Sequence, residues 1–429
     1  MQRDRFGLPL STSSEAAALA YNAGVENLLC AGALLTAGFE KAIASDPDFA
    51  LAHIALSRCH AMYGDGQKAK DFAQRATELA QRATTREQQH VAALSLLAQG
   101  KGAVALKAIE EHLKHWPSDT LVLQPCLGAF GLIGFSGDAD RDTRLLDFMA
   151  QVAPSYGDDW WFNAAFAYAE VEAGKVDSAA RRVTKSLQQQ PGNANAAHIY
   201  THVFYERAEI TTGAQFLKTW LRDHSKPMIL RGHLAWHLAL YELALGNSES
   251  AWDWYDKELS EPVHGRGAPV PPLNVLTDAA SFLWVADLAG QSKRDSDWTA
   301  LADFAQKRFA HAGLPYADFH SAIIYAKAGR LQELKNLQSE ISDLVQTAKV
   351  QAVNADVVAG LVAFSKKQWK DSVQSLSAEM NEQVRLGSSS AQRDLINRTL
   401  IEAHLALDEH AQARAVASAR PLLNQLLTV

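Results

Sequence analysis

Residues 195–254 read NAAHIYTHVFYERAEITTGAQFLKTWLRDHSKPMILRGHLAWHLALYELALGNSESAWDW, a stretch rich in Ala and Leu and poor in Pro. It contains two histidine pairs, His198 with His202 and His233 with His237, each spaced four residues apart. Residues four apart lie on the same face of a helix, one turn above the other. The stretch therefore predicts helices that each present a pair of imidazoles on one face.

The second half of this stretch also has the spacing of a helical hairpin, and that spacing recurs elsewhere in the chain. Small residues at fixed offsets let two helices pack closely, and a glycine between them supports the turn. Since one hairpin cannot bury its apolar face alone, neighbouring hairpins must stack. The pattern predicts an all-α, right-handed α-solenoid of roughly ten tetratricopeptide-like hairpins, each of about 34 residues. The clearest matches are Leu56, Gly64, Ala69 and Ala76, then Phe166, Ala167, Gly174, Ala179 and Pro191, then Leu238, Ala239, Gly246, Ala251 and Tyr255.

The start of the chain and two internal segments depart from the repeat pattern. Residues 1–14 are predicted to form an extended lead-in, because serine and threonine hydroxyls before Glu15 are suited to cap a first helix. A single superhelix is then predicted over residues 15–429, with an irregular loop at 261–274 that holds four prolines and two glycines. Such a loop is either part of a site or a plain connector. The Gly-rich segment 125–137 predicts close helix packing or a tight helix end, and not a phosphate loop, because no Lys-Ser or Lys-Thr pair follows it and no strand precedes it.

Composition excludes several classes of protein. The 429 residues include 48% apolar side chains and carry a net charge of −7, which is typical of soluble globular proteins and not of a basic nucleic-acid-binding surface. Three cysteines without a Cys-x-x-Cys pair support neither a disulfide framework nor a zinc ribbon. The most apolar early run has about 12 residues, whereas a membrane span needs about 20, and no signal-peptide core is present. These features predict a cytoplasmic protein without a nucleic acid or membrane partner.

The two histidine pairs are the best candidates for a functional site. In a tetratricopeptide superhelix the first helix of each hairpin lines the concave groove, and consecutive first helices lie about 8–10 Å apart. Because the pairs fall on two such neighbours, four imidazoles and the carboxylate of Glu206 are expected to converge. They would act as general acids and bases, or as ligands of a transition metal with Glu206 as a fifth ligand. Known metal sites in helical bundles contain more carboxylates, and a single buried histidine is more often structural.

Polar and aromatic residues on the other first helices extend the predicted pocket. Asp278 would orient a histidine, or it is an ordinary charge near a helix N-terminus. Arg393 would bind an anionic group, or it pairs with Asp394 or Glu402. The predicted catalytic residues are His198, His202, His233, His237, Asp278 and His320, and the predicted substrate-binding residues are Glu206, Trp160, Trp236, Tyr241 and Arg393. Four histidines of earlier repeats are predicted to be structural: His53, His60, His112 and His115.

The chain resembles the tetratricopeptide repeat protein 38 family in the order and spacing of several blocks, over about residues 5–425. The resemblance implies an α-solenoid of divergent tetratricopeptide-like repeats, and it implies no particular reaction or cofactor. The family's recurring positions correspond to His198, His202, His233, His237, Asp278, His320 and Gln392-Arg393-Asp394. The blocks are FEKAIASDPDFALAHIAL, TREQQHVAAL, HIYTHVFYERAE, RGHLAWHLALYELALGNSESAWDWYDKEL, LTDAASFLWVADLAG, YADFHSAIIYAKAG and AQRDLINRTLIEA.

Two functions from different classes follow from this pattern. The first is a His-rich pocket in the concave channel that binds a small molecule and performs hydrolysis or another proton-transfer reaction. The alternative is a non-catalytic scaffold whose concave groove binds a peptide of a partner protein, the common use of such surfaces. The inner stripe of His, Trp, Tyr and acidic residues is concentrated in two repeats, which favours the compact pocket.

Overall fold

The computed structural model describes residues 2–291 and 294–428, and the regular structure within these residues is helical apart from one isolated bridge between Arg3 and Pro9. The helices up to residue 206 are α1 (Glu15–Leu29), α2 (Ala37–Ser45), α3 (Ala50–Met62), α4 (Gly66–Ala80), α5 (Thr85–Ala98), α6 (Gly102–His115), α7 (Thr120–Leu123), α8 (Arg141–Val152), α9 (Trp160–Glu172), α10 (Val176–Gln189) and α11 (Ala194–Glu206). The later helices are α12 (Ile210–Asp223), α13 (Arg231–Ala244), α14 (Ser248–Trp254), α15 (Glu261–Val263), α16 (Pro272–Leu288), α17 (Asp295–Arg308), α18 (Pro315–Lys327), α19 (Leu331–Leu344), α20 (Lys349–Ser365), α21 (Trp369–Ala378), α22 (Ser390–Leu405), α23 (His410–Ser418) and α24 (Pro421–Thr428).

Successive helices pack as hairpins, and the hairpins stack on one another. Gly174 (φ 75°) and Gly246 (φ 79°) occupy the turns that follow α9 and α13, a left-handed conformation that glycine adopts without strain. First helices of successive hairpins contact each other, as α9 does α11 and α13 does α16. The prediction of an all-α solenoid of tetratricopeptide-like hairpins is confirmed. The hairpins are α1–α2, α3–α4, α5–α6, α9–α10, α11–α12, α13–α14, α16–α17, α18–α19, α20–α21 and α22–α23.

The C-terminal helices fold back onto the middle of the solenoid. Helix α22 contacts α11 and α16 as well as its neighbour α20, and α24 contacts α11. The Gly-rich segment also packs closely: a Cβ added to Gly387 would lie 2.2 Å from the ring of Phe135. The accessible surface of 17462 Å² is within about a tenth of the roughly 16,000 Å² expected for a compact monomer of this size. The C-terminal segment therefore packs against helices that were predicted to line an open channel or groove.

The Pro-rich loop is shorter than the predicted range of 261–274. A π-helical turn, Tyr255–Ser260, leads directly into α15 (Glu261–Val263), and α16 already begins at Pro272. A proline at the first helical position costs no hydrogen bond, because the N–H at that position has no partner within the helix. Irregular chain is therefore confined to residues 264–271.

The first helix begins where the serine-rich segment ends. The Ser14 hydroxyl accepts a hydrogen bond from the amide of Ala17 at 3.1 Å and so caps α1. The residues before Ser14 lie against the first hairpins. For example, Arg86 of α5 donates a hydrogen bond to the carbonyl of Pro9 at 2.8 Å.

No helix within the described ranges is long and apolar enough to cross a lipid bilayer. Helices α16 and α20 have 17 residues each, whereas a span needs about 20 predominantly apolar residues.

Candidate functional site

Four histidines converge between α11 and α13, and we call them the tetrahistidine cluster. One ring nitrogen each of His198, His202, His233 and His237 lies within 4.8 Å of those of the others. Nε2 of His198 is 2.8 Å from Nε2 of His202 and 3.0 Å from Nε2 of His233. The ring of His237 has its centroid 4.9 Å from those of His202 and His233. The spacing of four residues places each pair on one helix face, and the packing of α11 against α13 brings the two faces together.

Asp278 on α16 holds one of these rings in place. Its Oδ1 lies 2.9 Å from Nδ1 of His233, and both side chains are buried. A carboxylate only accepts hydrogen bonds, so Nδ1 of His233 carries the proton. In the neutral ring this leaves a lone pair on Nε2, the atom that faces the other histidines. In metal sites, a carboxylate often accepts a hydrogen bond from the ring nitrogen that does not bind the metal, and this bond fixes the orientation of the histidine.

The ring nitrogens inside the cluster do not satisfy one another. Each Nε2 offers either one N–H or one lone pair, so His198 can fully serve only one of its two neighbours. Among the described residues, Nε2 of His237 and Nδ1 of His202 are buried without a hydrogen-bond partner. Leaving a buried polar atom unpaired costs about 1–3 kcal/mol. A cation at the centre of the cluster would bind four lone pairs at once.

Burial keeps three of the four histidines neutral at physiological pH. Desolvation, with His233 as a further cause, lowers the pKa of His202 to about 3. Burial and then the neighbouring histidines lower the pKa of His198 and of His237 well below the usual range. Neutral imidazoles are metal ligands, whereas a general acid or base works best with a pKa near the working pH. The electrostatics of the cluster therefore suit a ligand set better than an acid–base pair.

Two further side chains lie against the cluster. Trp236 stacks on His233, with ring centroids 5.2 Å apart and 12° between the planes, and its ring lies 4.5 Å from that of His237. Glu172, the last residue of α9, places Oε1 3.8 Å from Nδ1 of His202. Burial raises the pKa of the Glu172 carboxyl to about 7, and the charge of Arg393 opposes this shift. Trp236 was among the predicted pocket residues, whereas Glu172 was not.

Two predicted pocket residues on α11 and α13 make other contacts. Glu206 is not a fifth ligand, because its carboxylate accepts hydrogen bonds from Arg420 at 2.7 and 2.9 Å and from Ser390 at 2.8 Å. Tyr241 donates its hydroxyl proton to the carbonyl of Thr201 at 2.8 Å and packs between helices. These predictions were wrong because both residues lie one turn beyond the histidine pair on their helix.

Arg393 does not present a free guanidinium to an anion. It is buried and donates to the carbonyls of Ser388 at 2.6 Å and of Gly387 at 3.1 Å. Carboxylates of Glu172 and Asp142 lie 3.9 Å from it, instead of the two acids predicted as its partners. Its role is therefore to hold the start of α22 against α8 and α9.

The remaining two predicted site residues lie outside the tetrahistidine cluster. The Nδ1 of His320 is 2.7 Å from the carbonyl of Tyr316, its ring stacks on Phe319, and burial lowers its pKa to about 4. The ring of Trp160 lies under the guanidinium of Arg5, at 4.8 Å from its centroid. His320 thus fills the core, and Trp160 holds the N-terminal lead-in.

The space beside the cluster is small. A cavity next to His233 and Asp278 has a volume of about 10 Å³, and Pro262 and Val270 close it on the side of the Pro-rich loop. That volume holds about one water molecule, whereas pockets for small organic ligands measure about 300–1,000 Å³. A cavity of this size is too small for the predicted small-molecule ligand.

A second buried group of histidines was not predicted, and we call it the Asp119 cluster. Asp119 accepts hydrogen bonds from Nδ1 of His90 at 3.0 Å, from Nε2 of His112 at 3.1 Å and from Arg86 at 2.7 Å. The prediction that His112 is structural did not include this carboxylate. Asp119 precedes α7 in a short connection, so no helical spacing relates it to either histidine.

Repeat position is the signal that could have identified Glu172. It lies two residues before Gly174, which has a positive φ at the turn after α9. Glu206 likewise lies two residues before Ala208, which has a φ of 56° at the turn after α11. The two glutamates therefore occupy equivalent positions on neighbouring first helices.

No protein-family model matches the chain, so the resemblance to the tetratricopeptide repeat protein 38 family stays a prediction. The chain is similar to the solved structure of the human IFIT1 dimer with m7Gppp-AAAA, at 12% identity and a TM-score of 0.45, over 100% of this chain and 96% of that chain. It is also similar to yeast Tom70, at 11% identity and a TM-score of 0.31, over 96% and 99%. For the P58(IPK) TPR domain the identity is 14% and the TM-score 0.21, over 92% and 98%. Likeness at these identities concerns the helical fold alone.

Proposed function

We propose that this helical repeat protein binds a divalent transition metal ion, such as zinc, through the tetrahistidine cluster. The observation that carries the proposal is the convergence of four ring nitrogens within 4.8 Å of one another. Zinc binds histidine at about 2.0–2.1 Å with tetrahedral geometry, which places ligand nitrogens about 3.3 Å apart. On binding, the nitrogens that are 2.8 and 3.0 Å apart around His198 would move apart to that value, and those up to 4.8 Å apart would move together.

The surroundings of the cluster also suit a dication. Imidazole ligands favour zinc, copper, iron and nickel over magnesium or calcium. A buried charge must be compensated, and two buried carboxylates face the backs of two rings: Asp278 behind His233 and Glu172 behind His202. A nearby cation favours the ionised form of Glu172, whose pKa burial raises to about 7, so both carboxylates would then offset the charge of the ion without binding it directly.

Metal binding explains the cluster better than the acid–base enzyme predicted from sequence. A base whose pKa is about 3, like His202, removes protons poorly at neutral pH. The cavity beside His233 and Asp278 holds about one water molecule, which is too small for an organic substrate. A metal ion needs only the lone pairs that already converge.

The alternative of a scaffold that binds a partner peptide ranks second. The concave side of the solenoid is the expected place for such a peptide, and α22 packs against α11 and α16. Metal binding at the tetrahistidine cluster requires no change of fold.

Metal titration of the purified full-length chain tests the proposal. After removal of metal by a chelator, we expect the chain to bind one zinc ion, measured by calorimetry and by elemental analysis after desalting. Cobalt should give the intense visible absorption of a tetrahedral site. His202→Gln and His237→Gln should abolish stoichiometric binding, because each removes one converging lone pair.

The matched control is His320→Gln, which changes a buried histidine outside the cluster. It should bind one zinc ion as the wild type does. Circular dichroism of each variant shows whether the helices persist, so that loss of metal is not mistaken for loss of fold. A folded wild-type chain that retains no zinc or cobalt would overturn the proposal.

A further inference from the structure

The Glu172 carboxylate lies between the tetrahistidine cluster and the start of α22. Its side chain is 1% exposed, and Oε1 faces Nδ1 of His202 at 3.8 Å. Oε2 accepts the backbone N–H of Ser390 at 2.8 Å and lies 3.9 Å from Arg393. One buried carboxylate therefore faces a ring of the cluster on one side and the first turn of a distant helix on the other.

The gap between Glu172 and His202 is one that a bound metal would close. Nδ1 of His202 has no hydrogen-bond partner among the described residues. When Nε2 of an imidazole binds a metal, the other ring nitrogen carries the proton and becomes a stronger donor. Oε1 of Glu172 lies 3.8 Å from Nδ1 of His202. A shift of about 1 Å would bring these two atoms within hydrogen-bonding distance.

Several other attachments of the C-terminal helices lie on the neighbouring repeat. Glu206 accepts hydrogen bonds from Ser390 and Arg420, and Tyr205 donates to Asp394 at 2.9 Å. These contacts hold α22 and α24 on the end of α11 without involving a histidine of the cluster. A substitution at these contacts would weaken the docking of the C-terminal helices without changing Glu172.

We propose that Glu172 is a positioning residue for His202 and that it couples metal binding to the docking of residues 387–405. This inference rests on the proposed metal site. A metal ion draws the Glu172 carboxylate onto His202 and fixes it there, which orders the acceptor that binds the amide of Ser390. By linkage, docking of α22 must strengthen metal binding by the same factor by which metal binding strengthens docking.

Hydrogen exchange of the full-length chain, with zinc or with chelator, tests the coupling. We expect zinc to slow exchange of amides in residues 387–405 by about tenfold, which corresponds to a typical coupling between two sites. In Glu172→Gln, zinc should bind about 10–100-fold more weakly, as for other residues that support metal ligands. At saturating zinc, this variant should show the same exchange in residues 387–405 as it does with chelator.

Glu206→Gln is the matched control, because it weakens docking at the equivalent repeat position. It should speed exchange of residues 387–405 in both states and keep the difference between zinc and chelator. If the wild type binds zinc and exchange of these residues is unchanged, the coupling is wrong and the metal site stands. If Glu172→Gln keeps both the zinc affinity and the exchange difference, Glu172 is not the coupling residue. If zinc does not bind at all, the metal site itself fails.

Discussion

The protein contains two buried groups of histidines that differ in what lies at the centre. In the Asp119 cluster a carboxylate is at the centre, and His90, His112 and Arg86 surround it. In the tetrahistidine cluster four rings face one another, and carboxylates lie behind two of them. Residue type alone does not distinguish these groups, since both consist of histidines inside one solenoid. The Asp119 cluster lies in the first repeats, and the tetrahistidine cluster lies in the central repeats.

The two clusters differ in whether the atoms that meet at the centre form donor–acceptor pairs. At Asp119 each contact joins a donor to an acceptor. Burial alone would raise the pKa of this carboxyl, but His90, His112 and Arg86 together hold it below its usual value. Between the rings of the tetrahistidine cluster a nitrogen faces a nitrogen, and Nε2 of His237 has no partner among the described residues. Nε2 of His90 and Nδ1 of His112 also lack partners within the described part of the chain, but the nitrogens of these rings that meet at the centre are paired with Asp119. In the second group the nitrogens at the centre are not matched, and the proposed cation would bind them.

The largest expected effect is the loss of the central carboxylate in Asp119→Asn. Arg86 would remain buried with only the more distant carboxylate of Glu87, 3.8 Å away, and breaking a buried ion pair from one side costs about 3–5 kcal/mol. We therefore expect the free energy of unfolding to fall by about that amount, measured by guanidinium denaturation. The loss should be the same in zinc and in chelator, because the Asp119 cluster needs no metal.

The pH dependence of this variant provides the control. The pKa of Asp119 in the folded protein lies below its usual value of 3.8, so its ionised form stabilises the fold above that pH. As the pH falls below 3.8 toward the depressed pKa, this contribution is lost. The difference in stability between wild type and Asp119→Asn should therefore shrink in acid. A difference that stays constant down to pH 2 would show that the lost stability is not the charge of Asp119.

The second prediction concerns the carboxylate behind a ligand, in Asp278→Asn. The amide still accepts a hydrogen bond from Nδ1 of His233 but no longer carries charge. We expect zinc affinity to fall about 10–100-fold, which is about 1.4–2.7 kcal/mol of binding free energy. A competition titration against a coloured chelator measures this change.

Stability in chelator should be nearly the same for Asp278→Asn as for the wild type. That result would distinguish Asp278 from Asp119, because one carboxylate supports a ligand and the other is the centre of its cluster. Equal loss of stability in zinc and in chelator would instead make Asp278 a structural residue like Asp119.

The sequence predicted those parts of this comparison that depend on local spacing. The interval of four residues placed His198 with His202 and His233 with His237, and repeat offsets placed both pairs on adjacent first helices. Asp278 was predicted too, since it lies near the start of the next first helix. Helical periodicity carries all of this information, because residues on one face and helices in successive repeats are neighbours by construction.

What the sequence did not predict depends on contacts between distant segments. Arg420 binds Glu206 from 214 residues away, so the predicted role of Glu206 as a ligand was wrong. Asp119 stands 29 residues from His90, in a connection where no period applies. Helix α22 packs back onto α11 and α16. The repeat pattern relates only neighbouring hairpins, so it does not predict this contact.

The third prediction concerns Arg86→Lys in the Asp119 cluster. Arg86 binds Asp119 at 2.7 Å with one nitrogen and the carbonyl of Pro9 at 2.8 Å with another. A lysine keeps the charge but presents a single ammonium group in place of a planar fork, so it can maintain the contact with Asp119 and lose the one with Pro9. One lost hydrogen bond from a charged donor costs about 1.5–3 kcal/mol, which denaturation will measure.

The amides of Leu10 and Ser11, which donate to the carbonyl of Gln2 and to Glu87, should then exchange faster, because the lead-in is held less firmly. Zinc affinity should be unchanged, since Arg86 contacts none of the four histidines that would bind the ion. A change in zinc affinity in Arg86→Lys would show that the two groups of histidines are coupled through the stacked hairpins. The contrast between the Asp119 cluster and the tetrahistidine cluster would then no longer hold.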